Sequence, residues 1–384
     1  MVDFKDKKNI IVLGGAGAIG SRLVHALVNR GHSVTVVVRS LSSAVRIGRL
    51  DIVIIQLDLT NVDSIQLTSL FADKDVVIDC SYSSGSNRDD VVEESKEVAK
   101  LIMQSADAAK VKHVIHFGTI SVYPADGGVI CESTLCEYSG DIYGDGKLAA
   151  ERVFMADNLY KAAVTVLQLP IVFGPFMNWT VSVVHEFSNG ELVMPDTTLG
   201  HCSPLFVDDV VEATESALTR SLQSNEKVLL SDEAVSWSDY YLAHARLLSR
   251  SNLNLIDRES FFEHLVRKEQ TEQPYNRLKK KFSDDGDFRQ LVLSQFGIRA
   301  LYQLMKKFRG QAEIDKLKLS IAGPSAKNKL GSLMSKNRVE LFDSLPKVQS
   351  NKAKLLLDFT PTNFNDAIKE TGVWLEWAGM VDSN

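Results

Sequence analysis

The stretch Asn9-Ile10-Ile11-Val12-Leu13-Gly14-Gly15-Ala16-Gly17-Ala18-Ile19-Gly20 decides how this chain is read. Its first five residues are a short apolar run ending in glycines, the pattern of a strand buried on both faces of a parallel sheet. The glycines then fall as G-x-x-G-x-x-G. From Gly20 to Asn29 the apolar residues Leu23, Val24, Leu27 and Val28 recur at helical spacing, and Gly31 ends that helix. A strand, a glycine-rich turn and a helix in direct succession are the context that gives such a motif meaning.

The same alternation continues outward. Ser33–Val38 (SVTVVV) is β-branched and reads as a second strand, and Ile52–Leu57, Val76–Asp79 and Val114–Phe117 repeat the theme. A long helix is expected over Asp89–Ala109, another over Tyr143–Asn158, a strand at Ala163–Leu169 and a further helix over Val207–Leu218. This order predicts an α/β fold: a doubly wound parallel Rossmann sheet with a smaller, mainly helical C-terminal substrate lobe. Residues 1–175 are expected to form the dinucleotide-binding domain, with 205–235 returning to it. Residues 176–204 and 236–384 are left for the substrate lobe. Within that lobe 254–350 is a basic helical insertion, with 19 Lys and Arg against 12 Asp and Glu. It carries Lys279-Lys280-Lys281 and Lys306-Lys307-Phe308-Arg309, read as a solvated face or a positive rim, and helical periodicity over Ile298–Phe308. The last stretch, Lys352–Trp377, reads as a strand or loop and a closing helix.

The chain has 384 residues, 45% hydrophobic and 24% charged, which is ordinary for a soluble globular protein. A net charge of −6 argues against nucleic-acid binding by bulk electrostatics. Cys80, Cys131, Cys136 and Cys202 form no C-x-x-C pair, so no metal site is expected and the thiols read as reduced. Met1–Lys8 is too short and too charged for a signal segment or membrane span, making a cytoplasmic location the expectation.

In the glycine turn, Gly14 permits the tight bend, Gly17 lets backbone approach a pyrophosphate, and Gly20 lets the helix pack close. The helix start at Ala18 and Ile19 then faces the anionic diphosphate. The second strand ends Val37-Val38-Arg39-Ser40, without the acid that would bond a ribose 2′-hydroxyl. Arg39 can pair with a 2′-phosphate and Ser40 can donate to it, with Arg46 as a second cation. The cofactor expected is therefore NADP, with NAD as the alternative. Asp58 is either an adenine ligand or a turn residue.

Further on, His116-Phe117-Gly118-Thr119-Ile120-Ser121-Val122-Tyr123-Pro124 precedes Tyr143-Gly144-Asp145-Gly146-Lys147. Four residues along a helix put Lys147 on the face of Tyr143. An ammonium there is expected to lower the phenol pKa and fit it for proton transfer, while Thr119 holds the substrate oxygen. His113 and His116 read as packed or surface residues.

In this order and spacing, these motifs resemble the extended short-chain dehydrogenase/reductases, specifically the NAD(P)-dependent epimerase/dehydratase family. The likeness covers roughly 9–235, with a weaker match in Lys352–Trp377. Leu169-Pro170-Ile171-Val172-Phe173-Gly174-Pro175 resembles the family's R-P-x-x-V-Y-G-P segment beside the nicotinamide, and Phe206-Val207-Asp208-Asp209-Val210 its F-V-D-D-V turn. The resemblance implies that Thr119, Tyr143 and Lys147 are the catalytic set. It also implies that Lys147 bonds the nicotinamide ribose and that Pro170 and Val172 border the cofactor. Ser121, Trp179 and His201 are expected on the substrate side.

Three departures follow. Gln168-Leu169 stand where the family has an arginine, and Gly200-His201-Cys202-Ser203-Pro204-Leu205 lacks the arginine that grips a substrate phosphate. Ile120-Ser121 replace the Asp-Glu pair of the 4,6-dehydratases. The expected activity is NADP-dependent oxidation–reduction or epimerisation at a carbonyl or secondary alcohol of a nucleotide-linked sugar. The alternatives are an NADPH-dependent reductase of a non-nucleotide ketone (polyketide, steroid or lipid-linked) and a non-catalytic NADP-binding sensor. Partners expected are a small-molecule substrate and a second copy of the chain in a homodimer, with no nucleic acid and no integral membrane association.

Overall fold

Strand β1 (Asn9–Leu13) lies inside a seven-stranded sheet in which every neighbouring pair is parallel. The computed structural model describes residues 7–126, 128–156, 159–187, 190–220, 225–231, 234–248, 252–271, 332–349 and 351–381. On one side of β1 lie β2 (Ser33–Val38) and β3 (Val53–Gln56). On the other lie β4 (Val76–Asp79), β5 (His113–Thr119), Ala163–Leu169 and Glu226–Leu229. The strand order reverses between β1 and β4. A crevice opens beyond the carboxyl ends of strands at such a switch point. Gly14 follows β1 there and Cys80 follows β4, with the Cys80 N–H donating to the Leu13 carbonyl at 2.9 Å.

The sheet is doubly wound because successive residues of each strand feed opposite cores. Ile10 and Val12 pack with Leu23, Val24 and Leu27 of helix α1 (Ala18–Asn29). Ile11 and Leu13 face the other way, in a core with Leu67 and Phe71 of α2 (Ser64–Phe71) and Ile102, Met103 and Ala106 of α3 (Arg88–Ala108). Helix α4 (Ile142–Phe154) lies on this second side, with Phe154 in the same core.

The remaining elements carry a smaller parallel sheet, Asn252–Ile256, Glu191–Pro195 and Ser332–Leu333. Around it lie the helices Asn178–Glu186, Trp237–Leu247, Arg258–Thr271, Lys336–Ser344 and Phe364–Trp377. An aromatic core joins them: Trp237 stacks on Phe342 at 3.7 Å, and Tyr240, Tyr241 and Phe261 are fully buried. Two expectations change. The start of the basic stretch includes a strand, and Lys352–Leu357 is a short helix rather than a strand or loop. In that helix Ala353 and Leu357 pack inward while Leu355 is exposed, an i, i+4 face that six residues barely disclose. Ile298–Phe308 and both lysine runs lie outside the described residues.

Candidate active site

The glycine turn is shaped by close approach. Gly14 has φ +72°, and a Cβ there would stand 3.0 Å from the main chain of Cys80. A Cβ on Gly20 would meet the Gly14 carbonyl oxygen at 2.8 Å, whereas one on Gly15 would meet Val36 Cγ1 at 2.7 Å. Gly20 thus lets helix α1 close onto the backbone that follows β1, and Gly15 adds a second close approach, between Val36 and Val12 of the sheet and Val24 of the helix. Gly17 caps α1 without a side chain, which leaves the helix start at Ala18 open to the crevice.

Three adjoining cavities follow the carboxyl edge of the sheet. The first, about 350 Å³, lies between the ends of β2 and β4 and is lined by Gly14, Arg39, Asp58, Tyr82 and Glu94 among others. Arg39 donates to the Tyr82 carbonyl at 3.2 Å. Asp58 Oδ1 accepts from the Thr60 backbone N–H at 3.1 Å and its hydroxyl at 3.0 Å. The Thr60 N–H first, then its hydroxyl and the Arg39 charge, hold the Asp58 carboxyl below the usual range despite slight burial. A Cβ-free cradle at Gly14 flanked by Arg39 and Asp58 fits the adenosine end of a dinucleotide.

The second cavity, also about 350 Å³, shares Gly14, Cys80 and Tyr82 with the first. Gly17, Ala18, Ile19 and Gly20 form one wall; Thr119, Tyr143, Lys147, Pro170 and Val172 form the other. The third, about 550 Å³, shares Thr119, Tyr143, Pro170 and Trp179 with the second and adds Ser121, Ser139, Asp141 and Leu341. Three sequence candidates line none of these cavities. The Ser40 hydroxyl lies 2.7 Å from that of Ser42, and the Arg46 guanidinium sits over the Phe176 ring at 5.2 Å. His201 is exposed, and its backbone N–H donates to the Leu345 carbonyl.

Thr119 ends β5. Its Oγ1 donates to Ser121 Oγ and accepts from the Ser121 N–H, both at 3.2 Å. Helix α4 starts at the Asp141 cap, whose carboxylate accepts from the Gly144 N–H at 2.6 Å. Gly144 and Gly146 let this helix close in. A Cβ on the first would lie 2.5 Å from the Ser121 carbonyl oxygen, and one on the second 2.9 Å from Val91 Cγ1. Lys147 Nζ donates to the carbonyls of Ser81 and Phe117, each at 3.0 Å. Burial pushes the Lys147 ammonium down, opposed by Asp79, Cys80 and Glu151.

Tyr143 is 40% exposed and lines both the second and the third cavity. The walls of the cleft push its phenol up, with the Thr119 hydroxyl opposing and Asp141 adding to the rise. This direction runs against the lowering expected from Lys147, whose ammonium is engaged with two carbonyls.

Sequence reasoning missed several partners. Tyr82 packs edge-on against Tyr143 at 5.1 Å. Arg338 sits over Trp179 at 4.2 Å and pairs with Glu186 at 3.2 Å. Gln168, standing where the family has arginine, donates to both Glu151 oxygens at 3.0 and 2.8 Å and accepts from the Tyr123 hydroxyl at 2.5 Å. Burial pushes Glu151 up, with Gln168 and then Lys227 and Lys147 opposing. A neutral amide facing a buried carboxyl of raised pKa is a consistent pair. Among the described residues no cluster of His, Cys, Asp or Glu could hold a metal, and no helix is long and apolar enough to cross a membrane.

The family model for the NAD dependent epimerase/dehydratase family matches residues 10–230. The chain belongs to that family. As a member of the NAD dependent epimerase/dehydratase family it is an NAD(P)-dependent enzyme of the short-chain dehydrogenase/reductase type. None of the curated proteins matches it. Among solved structures it is similar to the epimerase Mth375 from Methanothermobacter thermautotrophicus, at 15% identity and TM-score 0.67 over 98% of this chain and 94% of that one. It is also similar to UDP-glucuronic acid 4-epimerase from Bacillus cereus in complex with NAD (17% identity, TM-score 0.62) and MoeE5 in complex with UDP-glucose and NAD (17%, 0.63). Each of these two alignments covers 96% of this chain and 99% of the other. At such identities the likeness establishes the shared fold.

Proposed function

We propose that this family member catalyses NADP(H)-dependent hydride transfer at a secondary alcohol or carbonyl carbon of an activated sugar. One observation carries the reading: Thr119 and Tyr143 line both the second and the third cavity, and Lys147 lines the second beside them. A substrate carbon there lies between the cofactor-sized crevice and the larger outer cavity. When bound, the nicotinamide supplies or accepts the hydride. Tyr143 donates its proton to the substrate oxygen in reduction and takes it back in oxidation. Thr119 orients that oxygen, and the Lys147 charge lies on the same cavity wall.

Ser121, Ser139 and Asp141 in the outer cavity can hydrogen-bond ring hydroxyls, and Trp179 offers a face on which a sugar ring can lie. The Bacillus cereus neighbour, also solved with UDP-glucuronic acid and NAD, supports a nucleotide-linked substrate by likeness. A second reading, a non-nucleotide ketone, is favoured by one feature. Among the described residues, Lys and Arg are missing from the outer cavity's lining, and its one carboxylate is Asp141. Titration with UDP-, GDP- and dTDP-sugars, followed by NADPH oxidation and by epimer formation, separates the two. Binding and turnover of one nucleotide sugar is the expected result, and binding of none turns the assignment to the ketone.

A further inference from the structure

We infer that the buried pair Asp79–His116 is a positioning device for Lys147: it fixes the two carbonyls that hold the ammonium and sets a carboxylate beside it. The inference rests on Lys147 belonging to the catalytic set. Asp79 and His116 are register partners across β4 and β5, and each is almost wholly buried. The His116 Nδ1–H donates to Asp79 Oδ2 at 2.7 Å, while Asp79 Oδ1 accepts from the Ser81 N–H at 2.9 Å and the Ser81 hydroxyl at 2.5 Å. One carboxylate thereby ties down Ser81 and the residue preceding Phe117. Ser81 and Phe117 supply the two carbonyls that Lys147 binds. The His116 ring also stacks on Phe154 at 4.3 Å, which braces the pair against α4, the helix that carries Lys147.

The charges agree with this geometry. Facing Lys147 are Asp79 and Cys80 from the end of β4 and Glu151 from its own helix, with Tyr143 one turn away and His116 beyond Asp79. Burial opposes charge on Asp79, but the His116 hydrogen bond, the Lys147 charge and the Ser81 hydroxyl keep it ionised. Burial holds His116 neutral against the pull of Asp79. A lysine ammonium carries three N–H donors and a neutral amine two. Two are taken by the carbonyls. Only the charged form has a third for the cleft, where the family resemblance puts the nicotinamide ribose. Asp79 keeps that third proton in place.

The test is competitive labelling of Lys147 with acetic anhydride across pH, read by peptide mass spectrometry in the intact protein, with Lys100 as an internal reference. It needs no substrate, so its outcome is independent of whether any sugar is turned over. In Asp79→Asn, Lys147 is expected to become reactive at least one pH unit lower, with roughly tenfold more labelling at pH 8. NADPH affinity should fall on the alkaline side over the same range. His116→Asn keeps a donor to the carboxylate and should stay within about threefold of the parent, whereas His116→Leu should follow Asp79→Asn. The Leu variant also serves if Asp79→Asn fails to give a native thermal transition. A Lys147 profile in both Asp79→Asn and His116→Leu that overlays the parent's overturns the inference, as does an equal shift at Lys100.

Discussion

Asp208 and Arg22 form a two-point ion pair, with the guanidinium Nε and Nη2 lying 2.6 and 2.7 Å from the two carboxylate oxygens. It joins the Phe206–Val210 turn to helix α1, whose start forms one wall of the cofactor crevice. The next residue acts elsewhere. Asp209 is buried and accepts from the Thr362 N–H at 3.1 Å and its hydroxyl at 2.6 Å, which anchors the chain before the closing helix. The two adjacent acids of this family motif thus hold two different segments.

Their costs should differ. The Asp208 pair is half exposed, so Asp208→Ala should lower unfolding stability by about 1 kcal/mol or less. Asp209→Ala strips the part-buried Thr362 N–H and hydroxyl of their buried acceptor, and a loss of about 1–3 kcal/mol is expected. Denaturant unfolding of both variants measures this. Equal losses would contradict the division of labour.

Tyr143→Phe keeps the ring and its packing against Tyr82 but removes the only proton the side chain can move. Turnover should fall by about 10²–10⁴-fold, the usual worth of a positioned acid–base group. NADPH binding, measured by fluorescence titration, should remain within about threefold. Activity close to the parent's would remove Tyr143 from the mechanism.

A pH dependence follows from His244. It is fully buried, its Nδ1–H donates to the Tyr240 carbonyl at 2.8 Å, and its Nε2 has no partner. Burial pushes it down to about 4, from an ordinary value of 6.5. Between those values the unfolded chain binds a proton that the folded one does not. This contribution is present above pH 6.5 and is lost as pH falls toward 4, up to about 3 kcal/mol in all. His244→Leu should be destabilised near pH 7 by about 1 kcal/mol through the lost hydrogen bond. It should also show a shallower loss of unfolding free energy between pH 6.5 and 4 than the parent. Parallel curves would show that His244 does not report this proton.

Local features were legible in the sequence. The strand, glycine turn and helix at 9–29 follow from apolar runs and glycine placement, and the shared helix face of Tyr143 and Lys147 from their spacing. What escaped depends on partners distant in sequence. Asp79 meets His116 only through the register of β4 on β5. Asn252–Ile256 becomes a strand because Glu191–Pro195, some 60 residues earlier, offers it an edge. The part played by Gly15 was not legible, because a Cβ there would meet Val36 of the neighbouring strand.

Arg39 offers the sharpest test of cofactor preference. It lines the first cavity at the end of β2, where an acid would favour NAD, and its tether to the Tyr82 carbonyl keeps the guanidinium at the cavity wall. A hydrogen-bonded ion pair with a 2′-phosphate contributes about 1.5–3 kcal/mol, or roughly 10–150-fold in affinity. Arg39→Ala should therefore raise the Kd for NADPH by at least about tenfold and leave that for NADH within about threefold. Asp58 lines the same cavity and its carboxylate accepts from Thr60, so Asp58→Ala should weaken the two cofactors by similar factors. Direct titration of the parent and both variants with NADPH and NADH decides the matter. A parent that binds NADH more tightly, with Arg39→Ala shifting both cofactors alike, would make Arg39 a general wall residue and this enzyme an NAD user.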